Sequence, residues 1–333
     1  MINQWRFISS LIILVGMIAS GVDGRVLADD EQPPLATCAG TDWQVGTTIY
    51  SDFEVDHFAR VYHVYIPEGY DGVTPLPLVM SLHGTVSSAS EQQEKTGWDD
   101  VADAENLIVV YPQGRRSVFF NWAWNAGAGM AGDDRTATNN LGETVEIDDV
   151  SFFNALLDHL LDTFCINPNQ VYITGFSNGG GMTDHLACAL SDRITAIGTV
   201  AGAYTAIPNG CNPTHPMPVI TFQGKQDRIV NYAGSVSHGL QGVESWAEDW
   251  AKRNRCDDER VAIDYPADSV EAYRYTHCDE DADVQVYSLD QTGHTWAGGG
   301  WGDSLLLGKT NTDIHASETM WEFFSQYERN SDQ

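Results

Sequence analysis

The chain has 333 residues, enough for a large buried core and close to the size at which a single core stops growing. Its composition, 42% hydrophobic and 11% aromatic with 31 glycines, excludes a disordered chain. Asp and Glu outnumber Lys and Arg by 47 to 17, and the formal net charge of -30 argues against nucleic-acid binding, which needs clustered cations for the phosphates. The same charge discourages contact with anionic membranes and fits equally a saline habitat or a secreted protein kept soluble by self-repulsion.

The first element reads as an export signal. Arg6 supplies positive charge, an apolar run follows from Phe7 to Ala19, and Val26-Leu27-Ala28 before Asp29 has the small residues of a cleavage site; Ala19-Ser20 is a second candidate. The run is shorter than the roughly 20 residues a spanning helix needs. Residues 1–28 are therefore read as a signal peptide and 29–333 as one domain, secreted or periplasmic, with no stable membrane anchor. Six cysteines, none in a C-x-x-C pair, suit disulfides in an exported chain rather than zinc or redox chemistry. Cys256 with Cys278 is the favoured pair, because they bracket a polar stretch, 257–277, read as a loop without a core of its own.

Residues 60–66 alternate and end at Pro67, which predicts a strand; 76–82 form a short apolar run closed by His83-Gly84, which predicts another. A helix is expected over 98–105 and a buried strand over 107–111. From Asp149, apolar residues at Val150, Phe153, Leu156, Leu157 and Leu160 follow the helical period. Strands then fall at 170–174, 197–200, 218–222 and 284–289, alternating with helices at 178–190, 243–253 and 316–326. Apolar strands alternating with helices imply an α/β fold, a mostly parallel sheet covered on both faces.

Between one strand and its helix lies Gly175-Phe176-Ser177-Asn178-Gly179, a G-x-S-x-G sequence in the strand–turn–helix setting that a nucleophile elbow requires. A serine hydroxyl needs a base, and in this arrangement an acid and a histidine follow the serine in the chain. Asp227 stands just beyond the 218–222 strand, with an exposed turn aspartate as its bland reading. His294 follows the 284–289 strand beside Gly293 and is preferred over His277 and His315. The oxyanion hole is expected from the backbone N–H groups of Asn178 and Thr85, the latter after Gly84 in the loop beyond the 76–82 strand; His83 is read as shaping that loop. Trp122, Trp124 and Trp296 are candidates for a platform under a sugar or phenolic group, with core filling as the alternative.

Several stretches, taken in order, carry a resemblance. They are Leu82-His83-Gly84, Val110-Tyr111-Pro112, Trp124-Asn125-Ala126-Gly127, Asp148-Asp149-Val150, Val171 through Gly180, Leu186-Ala187-Cys188 and Gly293-His294-Thr295-Trp296. Together they resemble the secreted esterase family of polyhydroxybutyrate depolymerase-like proteins and feruloyl esterases, over about residues 58–322. The resemblance implies an α/β-hydrolase fold, a nucleophile, acid and base at Ser177, Asp227 and His294, and ester substrates derived from polysaccharide or polyester. It implies no cofactor and no metal. Two departures stand out: Gln223 occupies a position where many relatives have histidine, and 128–141 lacks the cysteine-containing loop many relatives show. The expected function is serine carboxylic-ester hydrolysis, on feruloyl or acetyl esters of plant cell-wall polysaccharides, with hydroxybutyrate oligomers as the alternative. A non-catalytic binding protein on the same fold, or a peptidase, are the rival classes.

Overall fold

The computed structural model describes residue 38 and residues 43–116, 122–127, 136–207 and 210–329. The expected signal peptide, 1–28, and most of the divergent 128–141 segment lie outside these residues. The described residues fall in one unit, Ala36–Gln333.

Ten strands form one sheet: β1 (Thr47–Val55), β2 (Phe58–Ile66), β3 (Leu76–Leu82), β4 (Ile108–Pro112), β5 (Ile166–Phe176), β6 (Ala196–Val200), β7 (Val219–Gly224), β8 (Val261–Ile263), β9 (Val270–Tyr275) and β10 (Val284–Leu289), in spatial order β1-β2-β4-β3-β5-β6-β7-β10-β9-β8. The strands from β4 across to β10 run parallel. Antiparallel neighbours, β2 with β1 on one side and β9 with β8 on the other, close the two edges. The fold is α/β, as the alternation of apolar strands and helices predicts.

Side chains of β3 show how the core forms. Successive residues of a strand point to opposite faces, so Leu78, Met80 and Leu82 enter one hydrophobic cluster and Val79 the other, all fully buried. Helices α3 (Asp149–Thr163) and α5 (Val243–Arg253) supply Phe153, Leu156, Trp246 and Trp250 to the first cluster. Helices α2 (Trp98–Glu105) and α6 (Ala316–Phe324) supply Trp98 and Phe324 to the second. Strands covered on both faces have no need of polar alternation, which is why their sequences read as near-continuous apolar runs.

Besides the half-exposed strand β1, two regions depart from expectation. The 257–277 stretch is not a coreless loop: β8 and β9 lie in it and extend the sheet, β9 antiparallel to β10 and β8 antiparallel to β9, with Val270 and Tyr275 buried. In β9, Val-Glu-Ala-Tyr-Arg-Tyr, Glu271 and Arg274 are exposed between buried ends, the pattern of a half-covered strand one place in from the sheet edge. Helix α1 (Ala89–Thr96) was also unannounced, because only Ala89, Gln92 and Thr96 of it are buried. Its signal was the cap: Ser88 Oγ accepts from Glu91 N at 3.2 Å, three residues on, in the S-x-x-E pattern. Disulfides join Cys38–Cys165, Cys188–Cys211 and the expected Cys256–Cys278. Closing that last loop contributes about 3 kcal/mol by chain entropy.

Candidate active site

Ser177 sits at the carboxyl end of β5 and caps α4 (Asn178–Ala189) with φ 55° and ψ -117°. That conformation is rare outside glycine and costs on the order of 1–3 kcal/mol. The surroundings hold it there. Ser177 N–H donates to Val200 O at 3.0 Å, while its carbonyl accepts from Gly181 N at 3.0 Å and Ala203 N at 2.9 Å. A methyl group at Gly175 would run into Gly179 O and Thr183 Oγ1, and one at Gly179 into the carbonyls of Leu82 and His83. Both glycines of the motif therefore serve close packing.

Asp227 follows β7 and His294 follows β10, so both lie at the same sheet edge as Ser177. Asp227 is buried, not an exposed turn residue: it is 3% exposed, and His294 is 4% exposed. His294 Nδ1 bonds Asp227 Oδ2 at 2.7 Å. Asp227 Oδ1 accepts from the N–H groups of Ile229 and Val230, both at 2.8 Å, which fixes the carboxylate plane. Gln223, 1% exposed, donates from Nε2 to Asp227 Oδ2 at 3.3 Å and to Val230 O at 2.9 Å. Ser177 and His294 line one cleft of about 510 Å³. Among the described residues no hydrogen bond joins Ser177 Oγ to His294; such contacts often tighten only when substrate arrives.

The third contributor is the loop after β3. Gly84 packs so closely on the elbow that a Cβ there would stand 3.1 Å from Phe176 Cδ1 and 3.2 Å from Ser177 Cβ. His83 is fully buried and organises this loop: Nδ1 meets Gly84 O at 2.7 Å, and Nε2 accepts from Gly114 N at 2.9 Å. Gly84, Thr85 and Asn178 all line the cleft with Ser177. Asn178 is the first residue of α4, so its N–H has no acceptor within the helix and faces the positive end of the helix dipole. Its side chain is occupied elsewhere, accepting from Trp124 N at 2.7 Å and donating to Trp124 O at 3.2 Å. The Trp124–Asn125 strip is tied in turn to Asp149, whose Oδ2 accepts from Asn125 N at 2.7 Å and whose Oδ1 pairs with buried Arg60 at 2.7 Å. Burial holds the Arg60 guanidinium below its ordinary pKa, against the pull of Asp149.

The tryptophan expectation fails in its particulars. Trp124 and Trp296 are fully buried, Trp124 Nε1 donating to His83 O and Trp296 Nε1 to Ser317 Oγ, so neither can meet a substrate. Trp122 is 44% exposed but does not line the cleft. Each sits beside a site motif in sequence, yet a side chain's direction follows from packing rather than proximity. Besides Phe176 and His294, the aromatic that lines the cleft is Trp301, its ring 4.8 Å from Phe176 and 4.7 Å from Lys95 Nζ. Ile229, Leu240, Leu306 and Leu307 give the rest of that wall an apolar character. Nothing in the local sequence marked this group, because its members come from three separate segments. Among the described residues no cluster of three or more His, Cys, Asp or Glu could hold a metal ion.

Comparison with known proteins places similar sequences and folds among esterases. A family model described as esterase PHB depolymerase matches residues 60–210, which include Ser177, Asn178 and Thr85 but stop short of Asp227 and His294. Feruloyl esterase B of Piromyces equi is 28% identical over 72% of this chain and 43% of its own length. A bifunctional acetylxylan esterase/xylanase of Neocallimastix patriciarum is 26% identical over 80% of this chain and 33% of its own. The chain thus spans less than half the length of these two relatives. The solved acetyl xylan esterase from Aspergillus awamori superposes with a TM-score of 0.57 at 15% identity, covering 84% of this chain and 99% of that one, and the likeness shows the α/β-hydrolase fold. The matched region, the relatives and the fold bear out the resemblance read from the motifs, to the esterase family of polyhydroxybutyrate depolymerase-like proteins and feruloyl esterases.

Proposed function

We propose that this chain is an exported serine carboxylic-ester hydrolase acting by acyl transfer, with Ser177 as nucleophile, His294 as general base and Asp227 as the group that orients it. The observation that carries the reading is the 2.7 Å contact between His294 Nδ1 and Asp227 Oδ2 at the cleft where Ser177 stands in its strained turn. Donating Nδ1–H to the carboxylate leaves Nε2 as the basic nitrogen. His294 removes the Ser177 proton as the oxygen attacks the ester carbonyl. The oxyanion is received by the N–H groups of Asn178 and Thr85, a contribution of about 3–4 kcal/mol per donor. The alcohol leaves with the proton from His294, and water activated by the same imidazole releases the acid.

For substrate, we favour feruloyl or acetyl esters of plant cell-wall polysaccharides. The names of the relatives support this, and an apolar cleft wall suits an aromatic acyl group. The description of the matched family and the same wall also favour a second reading, oligomers of 3-hydroxybutyrate. Export through a cleaved leader at 1–28, with 29–333 as a single catalytic domain, is part of the proposal; three disulfides support an oxidising compartment. Among the described residues no helix is long and apolar enough to cross a membrane.

The test compares wild type with Ser177→Ala on methyl ferulate, acetylated xylan and soluble 3-hydroxybutyrate oligomers. The serine variant should fold normally and lose turnover by at least ~10⁴-fold on every substrate. Retained turnover would remove Ser177 from the reaction and favour a binding protein on a hydrolase fold. Fast release from the hydroxybutyrate oligomers alone would exchange the first substrate reading for the second.

A further inference from the structure

We infer that Gln223 is a positioning residue for the Asp227–His294 pair, setting both the place of the Asp227 carboxylate and the strength with which it holds His294. The inference rests on the assignment of that pair proposed above. Gln223 is in the last turn of chain before the acid, at the carboxyl end of β7, and its side chain folds over the 227–230 turn. Nε2 reaches two oxygens at once: Val230 O at 2.9 Å and Asp227 Oδ2 at 3.3 Å. The second is the same oxygen that His294 Nδ1 contacts at 2.7 Å.

The carboxamide orientation follows from these contacts. Turned over, its oxygen would face a carbonyl and a carboxylate, both acceptors without a proton to offer. As placed, Oε1 is buried without a hydrogen-bond partner among the described residues, so only the N–H side of the group is used. A buried unpaired acceptor is unfavourable. A methionine would fill the same space without that cost, so packing alone does not account for an amide here.

Two effects follow. Gln223 ties Val230 O while the Val230 and Ile229 amides tie Asp227 Oδ1, so the turn is closed around the carboxylate from both sides. The N–H also shares the charge on Oδ2, which weakens the stabilisation Asp227 gives to protonated His294. The other charged groups nearby are engaged or turned away. Lys225 pairs with Glu271 at 2.8 Å and Asp290 at 3.0 Å, Arg228 is exposed, and across the cleft Glu91 is held by Lys95 at 3.2 Å and Ser87 at 2.9 Å. Phe176, 4.8 Å from the His294 ring, carries no charge.

The experiment is the pH profile of kcat/KM for Gln223→Met, with kcat, KM and melting temperature measured beside it. Loss of the donor should strengthen the Asp227–His294 contact and move the acid limb up by about half a pH unit. Loosening of the turn should lower kcat roughly 3- to 10-fold with KM within about twofold. An acid limb and kcat unchanged from wild type would overturn the inference, and so would a lower melting temperature with unchanged kinetics per folded molecule. Where Gln223→Met does not fold, Gln223→Asn serves; it keeps an amide but is one methylene too short for both contacts and should shift the limb the same way. Asp227→Asn separates the two layers of argument. Full activity in that variant would sink the assignment of the pair itself, whereas its collapse beside an unmoved Gln223→Met limb would sink only the role given to Gln223.

Discussion

The strand tips that carry Ser177, Asp227 and His294 and the wall that carries Trp301 and Leu306 meet at one cleft, yet they are built differently. At the tips each side chain is set by backbone partners. Ser177 is pinned through its own N–H and C=O, Asp227 by two amides two and three residues on, and His294 by its N–H bond to Leu307 O at 2.6 Å. The wall has no such scaffold. Trp301 is held between the ring of Phe176 and the ammonium of Lys95, and Leu305 and Leu306 stand exposed on a turn closed by paired 2.9 Å bonds between Ser304 and Gly308. Reacting groups are fixed by main-chain hydrogen bonds, several of them from strands and loops remote in the chain, while the surface around them rests on contacts between side chains.

If that division is real, the largest effect belongs to the tips. Asp227→Asn keeps the shape of the side chain but offers an N–H or a weaker acceptor to His294, favouring the wrong imidazole tautomer. It should lower kcat by about 10⁴-fold while leaving the melting temperature near that of wild type. A loss of only a few-fold, measured on the best of the three substrates, would mean that Asp227 does not orient the base.

The same division decides what the sequence made legible. G-x-S-x-G between an apolar run and a helical period identified the elbow because every feature that makes it lies within a few residues. Strands β3 and β10 and helix α5 fall on the bounds their patterns predict, because burial on both faces or along one stripe writes itself into the order of residues. Strand β1, half-exposed along its length, and the β8–β9 pair gave no such apolar signal. Trp296 was misjudged for a related reason: standing two residues from His294 says nothing about which way the indole turns, and the neighbours that bury it, such as Ser317, are remote in sequence.

Trp296 and Trp301 therefore form a matched pair. Trp296→Ala removes a fully buried indole from the second core cluster and should cost about 3–5 kcal/mol of stability, read by denaturant unfolding. Trp301→Ala should change KM and the preference among the three substrates far more than the unfolding midpoint. Equal losses of stability in both would show that Trp301 is core as well, and that the wall has no freedom to vary.

Asp184 tests whether charge beneath the tips follows the same rule as charge at them. It lies in α4, fully enclosed, and its Oδ1 accepts from Trp246 Nε1 at 2.8 Å and Trp250 Nε1 at 2.9 Å. Burial pushes its pKa from 3.8 up to about 6, the two indole N–H groups opposing the shift. A carboxyl whose folded-state pKa is raised binds its proton more tightly in the folded chain. Its contribution to stability is greatest below pH 3.8 and is lost as the pH rises to about 6. Asp184→Asn keeps an acceptor for both indoles and never ionises. It should gain up to roughly 3 kcal/mol over wild type above pH 6, and little below pH 4. A gain of the same size at both pH values would mean that ionisation is not its source.

The smallest effect is expected at Leu306. Its side chain is 77% exposed and lines the cleft, so truncation removes no core contact and leaves no cavity. Stability of Leu306→Ala should stay within about 0.5 kcal/mol of wild type. What the leucine can supply is apolar contact to the acyl part of a bound ester, and the methylene groups lost are worth on the order of 1 kcal/mol or less when only partly covered. That corresponds to a rise in KM of about two- to fivefold, with kcat unchanged because Leu306 is not among the groups assigned to the reaction. The rise should appear for methyl ferulate and be absent for an acetyl ester, whose two-carbon acyl group ends short of the wall. An equal rise for both would place Leu306 against the alcohol side of the substrate, reversing the direction in which the ester lies across Ser177.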